Sequence, residues 1–139
     1  MSQTRDAKIR ASFTAQSMMA TLGAGLEALG PGHCTIAAPI LPGSCQQQGL
    51  AHAALTFAIG DSAAGYAALT LMEDDAEVVT AEMKINLLAP GTGDRLIAEG
   101  RVIRPGKRLI VAQSDVYAET GADRRHIAIL MGTMVPVPR

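Results

Sequence analysis

At 139 residues, with 48% hydrophobic content and a formal net charge of −1, the chain can build one domain with its own core. It lacks the concentrated cations that a nucleic-acid partner requires, and with 3% aromatics and no tryptophan it cannot build a site of stacked rings. No apolar run approaches the roughly 20 residues of a membrane span, and the N-terminal MSQTRDAKIRASF has no apolar signal core, so a cytoplasmic protein is expected.

Arg5 to about Thr21 reads as a helix, with Ile9 and Phe13 four apart and Met19 and Leu22 continuing the apolar side; Gly23 and Gly25 end it. Two short extended pieces flank the turn signal Gly30-Pro31-Gly32, and Pro42-Gly43 opens a loop that leads into three glutamines. Cys34 and Cys45 show no metal-like or redox-like spacing and read as reduced thiols, although Cys45 adjoins the glutamine run and is placed to line a site there. His52 to about Leu71 favours helix, and because small residues occupy every side of it, the helix should be enclosed by other elements.

The rest is strand-like. Val79, Ala81, Met83, Ile85 and Leu87 alternate with Thr80, Glu82, Lys84 and Asn86 in a period of two. A hairpin follows with Arg104-Pro105-Gly106-Lys107 at its tip, then a turn at Gly121-Ala122-Asp123 and a last strand halted by Pro136 and Pro138. The order implies an α+β domain over residues 1–139: a meander of about four long strands, in an antiparallel sheet wrapped around one central helix, with a further helix at the N-terminus. Such a sheet leaves edges and an open face, so oligomerisation is expected.

One residue does not belong in an enclosed helix. Asp61 sits in the middle of QQQGLAHAALTFAIGDSAAGYAALTL, where a buried carboxylate is costly unless paired, hydrogen-bonded or protonated. Following Gly60, it could equally be the N-cap of a second helix beginning Asp-Ser-Ala-Ala.

QQQGLAHAALTFAIGDSAAGYAALTLM with VTAEMKINLLAPGTGDRLIAEGRVIRPGKRLIVAQSDVYA resembles the PaaI-type thioesterases of the hotdog-fold superfamily. FTAQSMMATLGAGLEALGPGHCTIAAPI and ILMGTMVPVP extend the resemblance over nearly the whole chain. Its most specific part is the spacing of an amide residue, a His-Gly-Gly, and an acid nine residues after that histidine. By position, Gln46 matches the amide, His52 the histidine and Asp61 the catalytic acid. Ala53 and Ala54 replace the two glycines. Alanine keeps the backbone N–H that the first glycine supplies in the family, and helical φ is negative, so the departure bears on substrate range more than on activity.

The resemblance implies a hydrolase acting on a short, medium-chain or aryl acyl-CoA. Asp61 would be general base or nucleophile, the helix start near Ala53 an oxyanion hole, and Gln46 and His52 its polar support. Ala54 would border the acyl pocket, and Thr80 falls where relatives carry a hydroxyl near the site. Each also has a plain reading: helix-start residue for His52, polar loop for Gln46, β-branched strand residue for Thr80. Arg104, Lys107 and Arg108 at the hairpin tip, with Arg124 and Arg125 behind, are candidates for the coenzyme A phosphates, or else solvated surface charges. No metal-ligand cluster or phosphate-binding glycine loop occurs, so no cofactor is expected.

Ala53 and Asp61 are eight residues apart, about 12 Å along a helix, too far to act on one carbonyl carbon. If both work, Asp61 must come from a neighbouring chain, in agreement with the dimer-interface sites that the resemblance implies; a homodimer or a homotetramer built from dimers is expected. Two competing functions share the fold: a non-catalytic acyl-CoA binding or sensing protein, for which no effector segment is expected within 139 residues, and hydratase or dehydratase chemistry, which pairs histidine and acid differently.

Overall fold

The computed structural model describes residues 1–138. Two N-terminal helices, α1 (Gln3–Ala15) and α2 (Ser17–Thr21), precede a hairpin of β1 (Gly25–Gly30) and β2 (His33–Pro39). A short turn leads to the central helix α3 (Ala53–Leu69), then to β3 (Ala76–Leu87), β4 (Arg95–Pro105), β5 (Ile110–Thr120) and β6 (Asp123–Pro138). All six strands form one antiparallel sheet in the order β1-β2-β4-β5-β6-β3, wrapped around α3 as expected.

The central helix is enclosed because its residues are small. A side chain at Gly100 of β4 would collide with the Ala63 carbonyl, so glycine lets the sheet backbone touch the helix backbone. Ile59, Ala63, Ala64, Ala67 and Ala68 are fully buried against Ile36, Leu96, Ile110, Val116 and Leu130. Ser114 of β5 donates to the Gly60 carbonyl at 2.6 Å, fixing the helix one residue before Asp61. One strip of α3 is left uncovered, running through Ala54, Phe57, Ala58, Asp61 and Ser62 at helical spacing.

The structure corrects four details. The N-terminal helix is broken at Gln16, whose ψ of 94° is extended, although no glycine or proline marks the break. The long strands are not a simple meander: β3 pairs with β6, leaving β3 at the sheet edge. The period of two in β3 does not hold, because Ala81 is the extra residue of a bulge between the pairs Thr80↔Met134 and Glu82↔Thr133. The bulge shifts the phase, so Thr80 and Val78 face the helix with Met83 and Ile85, while Val79 is 46% exposed. Finally, β6 continues through Pro136 to Pro138. Beyond Met134 it pairs only with β3, so those prolines remove no N–H that β5 would have needed.

Candidate active site

Asp61 lies within α3 and is not a cap, which removes the helix-start reading. Its Oδ1 accepts a hydrogen bond of 2.7 Å from the Thr80 hydroxyl. Burial raises the carboxyl above its ordinary value, and the Thr80 hydrogen bond partly opposes that shift by favouring the charged form. The acid opens into a cleft with Ser12, Gln16, Ser62, Tyr66 and Glu77. Sequence reasoning missed this wall, because it depends on the break at Gln16 that turns this side chain towards α3.

The other candidate residues gather at the start of the same helix. His52 is the N-cap of α3, and its Nδ1 accepts from the Ala54 N–H at 2.8 Å. An accepting Nδ1 requires its lone pair, so the ring proton is on Nε2. The Leu55 N–H donates to the His52 carbonyl. Among the described residues none accepts from the Ala53 N–H, which is left at the positive end of the helix dipole.

Gln46 closes its own loop. Its side-chain Oε1 accepts from the N–H groups of Gln48 and Leu50, at 2.5 and 3.3 Å, and its backbone carbonyl accepts from Gly49, whose φ of 80° suits glycine. Its Nε2 donates to Gln48 Oε1 at 3.2 Å, so with the oxygen committed Gln46 keeps one amide hydrogen to offer. Gln46, His52 and Ala53 line one groove together with Leu87, Leu88 and Pro90. Ala54 borders a separate apolar recess with Met18, Leu22, Cys45, Leu55 and Ala58.

Thus the structure brings Asp61 together with Thr80, and Gln46 with His52 and Ala53, but leaves the two groups in separate clefts of one chain. Arg104, Lys107 and Arg108 stand exposed at the β4–β5 turn, none of them in an ion pair among the described residues. The row Thr80↔Met134, Met134↔Ile110, Ile110↔Pro105 places that turn three strands from Thr80, about 14 Å across the sheet. Arg124 is otherwise engaged, bridging Glu99 and Glu119 over the Tyr117 ring, whereas Arg125 is exposed beside it. Cys34 is buried and its thiol is pushed up to about 12 by desolvation, which fits a structural residue. No helix among the described residues is long and apolar enough to cross a membrane.

An antiparallel sheet wrapped around a small-residue helix is the hotdog architecture. The chain belongs to the thioesterase superfamily, whose sequence signature matches residues 48–124. By class it is a hotdog-fold member of that superfamily. It is similar to a thioesterase family protein of Silicibacter pomeroyi, with 38% identity over 97% of this chain and 99% of that one, at a TM-score of 0.94. The E. coli PaaI protein from the phenylacetic acid degradation operon shares the fold at a TM-score of 0.86, with 19% identity, 98% of this chain and 95% of that one. A Saccharolobus solfataricus protein named as an esterase is 41% identical over 69 residues, 50% of this chain; the match spans 45% of that protein, less than half its length.

Proposed function

We propose that the protein hydrolyses acyl-CoA thioesters at two sites of a homodimer, each completed by Asp61 and Thr80 of one subunit and Gln46, His52 and Ala53 of the other. The observation that carries this reading is the placement of both half-sites on one face of α3, in separate clefts, eight residues apart along the helix. Two copies of α3 lying antiparallel about a two-fold axis bring Ala53 of each against Asp61 of the other when the axis passes the midpoint, Phe57. Phe57 is on the uncovered strip and 36% exposed. The unpaired edge of β3 runs beside that strip, with Val79 and Leu87 exposed.

In this arrangement the Asp61 carboxylate takes a proton from water, and the hydroxide oxygen bonds to the thioester carbon. The carbonyl electron pair moves onto oxygen, to which the Ala53 N–H donates a hydrogen bond. Collapse of the tetrahedral species breaks the carbon–sulfur bond, and the departing thiolate regains a proton from Asp61. Direct attack by Asp61, followed by hydrolysis of the anhydride, uses the same groups. Gln46 donates its remaining amide N–H to the reacting oxygen atoms, and His52, capping α3 through Nδ1, fixes the helix start that carries the Ala53 N–H. The unpaired cations Arg104, Lys107 and Arg108 receive the coenzyme phosphates.

Thiol release from a panel of acyl-CoAs by wild type and by Asp61→Asn, at equal folded concentration, tests the reading. The variant is expected to lose on the order of a hundredfold or more. Equal rates would overturn the role of Asp61, and acyl-CoA binding without any turnover would make the protein a binding module.

A further inference from the structure

The wall of the Asp61 cleft is polar in a way that the hydrolytic steps do not use. Gln16 donates from Nε2 to the Tyr66 hydroxyl at 3.1 Å and accepts at Oε1 from Ser62 Oγ at 3.3 Å, while Ser12 Oγ lies 3.1 Å from the same Tyr66 hydroxyl. These groups carry more N–H and O–H hydrogens than the contacts consume. In either orientation of the Gln16 amide one N–H hydrogen is left over, beside a cleft that Gln16 lines. Gln16 is half-buried, and an apolar acyl group lodged there would cover that donor from the cleft side without pairing it, which is unfavourable.

The cleft is suited to the acyl group and not to the coenzyme. Part of its wall is Tyr66, which is 6% exposed and packed edge-on to Phe13. The coenzyme must return to solvent with its phosphates, and no cation among the described residues lines this cleft. Lys8, the nearby cation on α1, donates to the carbonyls of Asp74 and Ala76. At about 170 Å³, the cleft has room for a short acyl group only. Gly65 and Tyr66 follow Asp61 by four and five residues, so this wall lies roughly 6–7.5 Å beyond the acid along the helix.

Resting on the assignment of Asp61 as the catalytic acid, we infer that Gln16 is a specificity-determining residue. Its spare N–H selects short acyl groups that carry an acceptor oxygen near their far end over unsubstituted alkyl groups of the same size. Tyr66 and Ser62 hold the Gln16 amide in place, Ser12 in turn holds the Tyr66 hydroxyl, and the break between α1 and α2 delivers the amide.

The test compares kcat/KM for 5-oxohexanoyl-CoA and 5-methylhexanoyl-CoA, which differ by an oxygen in place of a methyl. Wild type is expected to favour the oxo compound by about tenfold or more, as a site built around a substrate oxygen does. Gln16→Met should bring the ratio close to one, and Tyr66→Phe, which keeps the ring against Phe13, should lower it. Equal rates in wild type, a preference for the methyl compound, or a ratio unchanged in both variants would overturn the inference and leave thioester hydrolysis standing. The acyl group would then belong in the apolar recess of Met18, Leu22 and Leu55. If neither compound nor any other acyl-CoA released thiol, the inference would fall together with the thioesterase reading.

Discussion

Both chemical routes need Asp61 ionised, and burial makes that state costly. Because the folded protein holds this carboxyl above its ordinary value of 3.8, the acid limb of kcat/KM should lie above the usual aspartate range, with rate rising as pH rises through it. Thr80→Val removes the hydrogen bond that favours the charged form and leaves desolvation unopposed. The limb should therefore move to higher pH in the variant; a limb that stays put, or moves down, would separate Thr80 from the acid. Stability follows the same sign. A raised folded value means that the neutral carboxyl's contribution is present below the unfolded value and lost as pH rises through the folded one. Asp61→Asn, neutral throughout, should accordingly melt above wild type at neutral pH, and the gap should close in acid. On the proposed mechanism activity and stability are opposed at this residue, which would account for an acid in an enclosed helix.

At the scale of elements, what delivers Thr80 to Asp61 is the bulge at Ala81, and the bulge depends on the facing strand. A Cβ at Gly132 would collide with the Glu82 carbonyl, immediately after the extra residue. Gly132→Ala should cost on the order of 1–3 kcal/mol in thermal or denaturant unfolding and lower kcat as well, because the strand must shift where Thr80 is aimed. Wild-type activity per folded molecule would show that the bulge does not position Thr80. This is also where the sequence stops being readable. Alternation identified β3 correctly as a strand but put Thr80 on the wrong face, since one inserted residue reverses every side chain on one side of it. A glycine inside β6 was the available sign of a close backbone approach. The kink at Gln16 had no such sign: it depends on Tyr66 and Ser62, some fifty residues away, which no local propensity encodes. Proline at 136 misled in the opposite direction, because its cost depends on whether a neighbour needs the N–H. By contrast, the enclosed helix was legible from composition alone, since only small residues let β4 come as close as it does at Gly100.

At the scale of the whole molecule, one chain holds every proposed catalytic group and yet cannot use them together. Half of each site lies at the start of α3 and half near its middle, so the spacing itself calls for a second copy. This can be tested without an image of the assembly. Asp61→Asn removes the acid and keeps the helix start, whereas Gln46→Ala removes the amide and keeps the acid. Each homodimer should be inactive or nearly so. In a mixed dimer, however, one of the two sites receives Gln46 from the first variant and Asp61 from the second, and is intact. Unfolding and refolding an equal mixture gives half mixed dimers, each with one working site of two, so about a quarter of wild-type activity should return. Separately refolded variants combined afterwards should stay inactive unless subunits exchange. If the refolded mixture recovers nothing while sedimentation shows dimers, Asp61 and Gln46 must act within one chain, and the helix would have to bend or slide to bring its two ends to the same carbon. Phe57 gives an independent check. Phe57→Lys, at the midpoint between Ala53 and Asp61, should yield a folded, inactive monomer in sedimentation, and an active one would exclude the shared site.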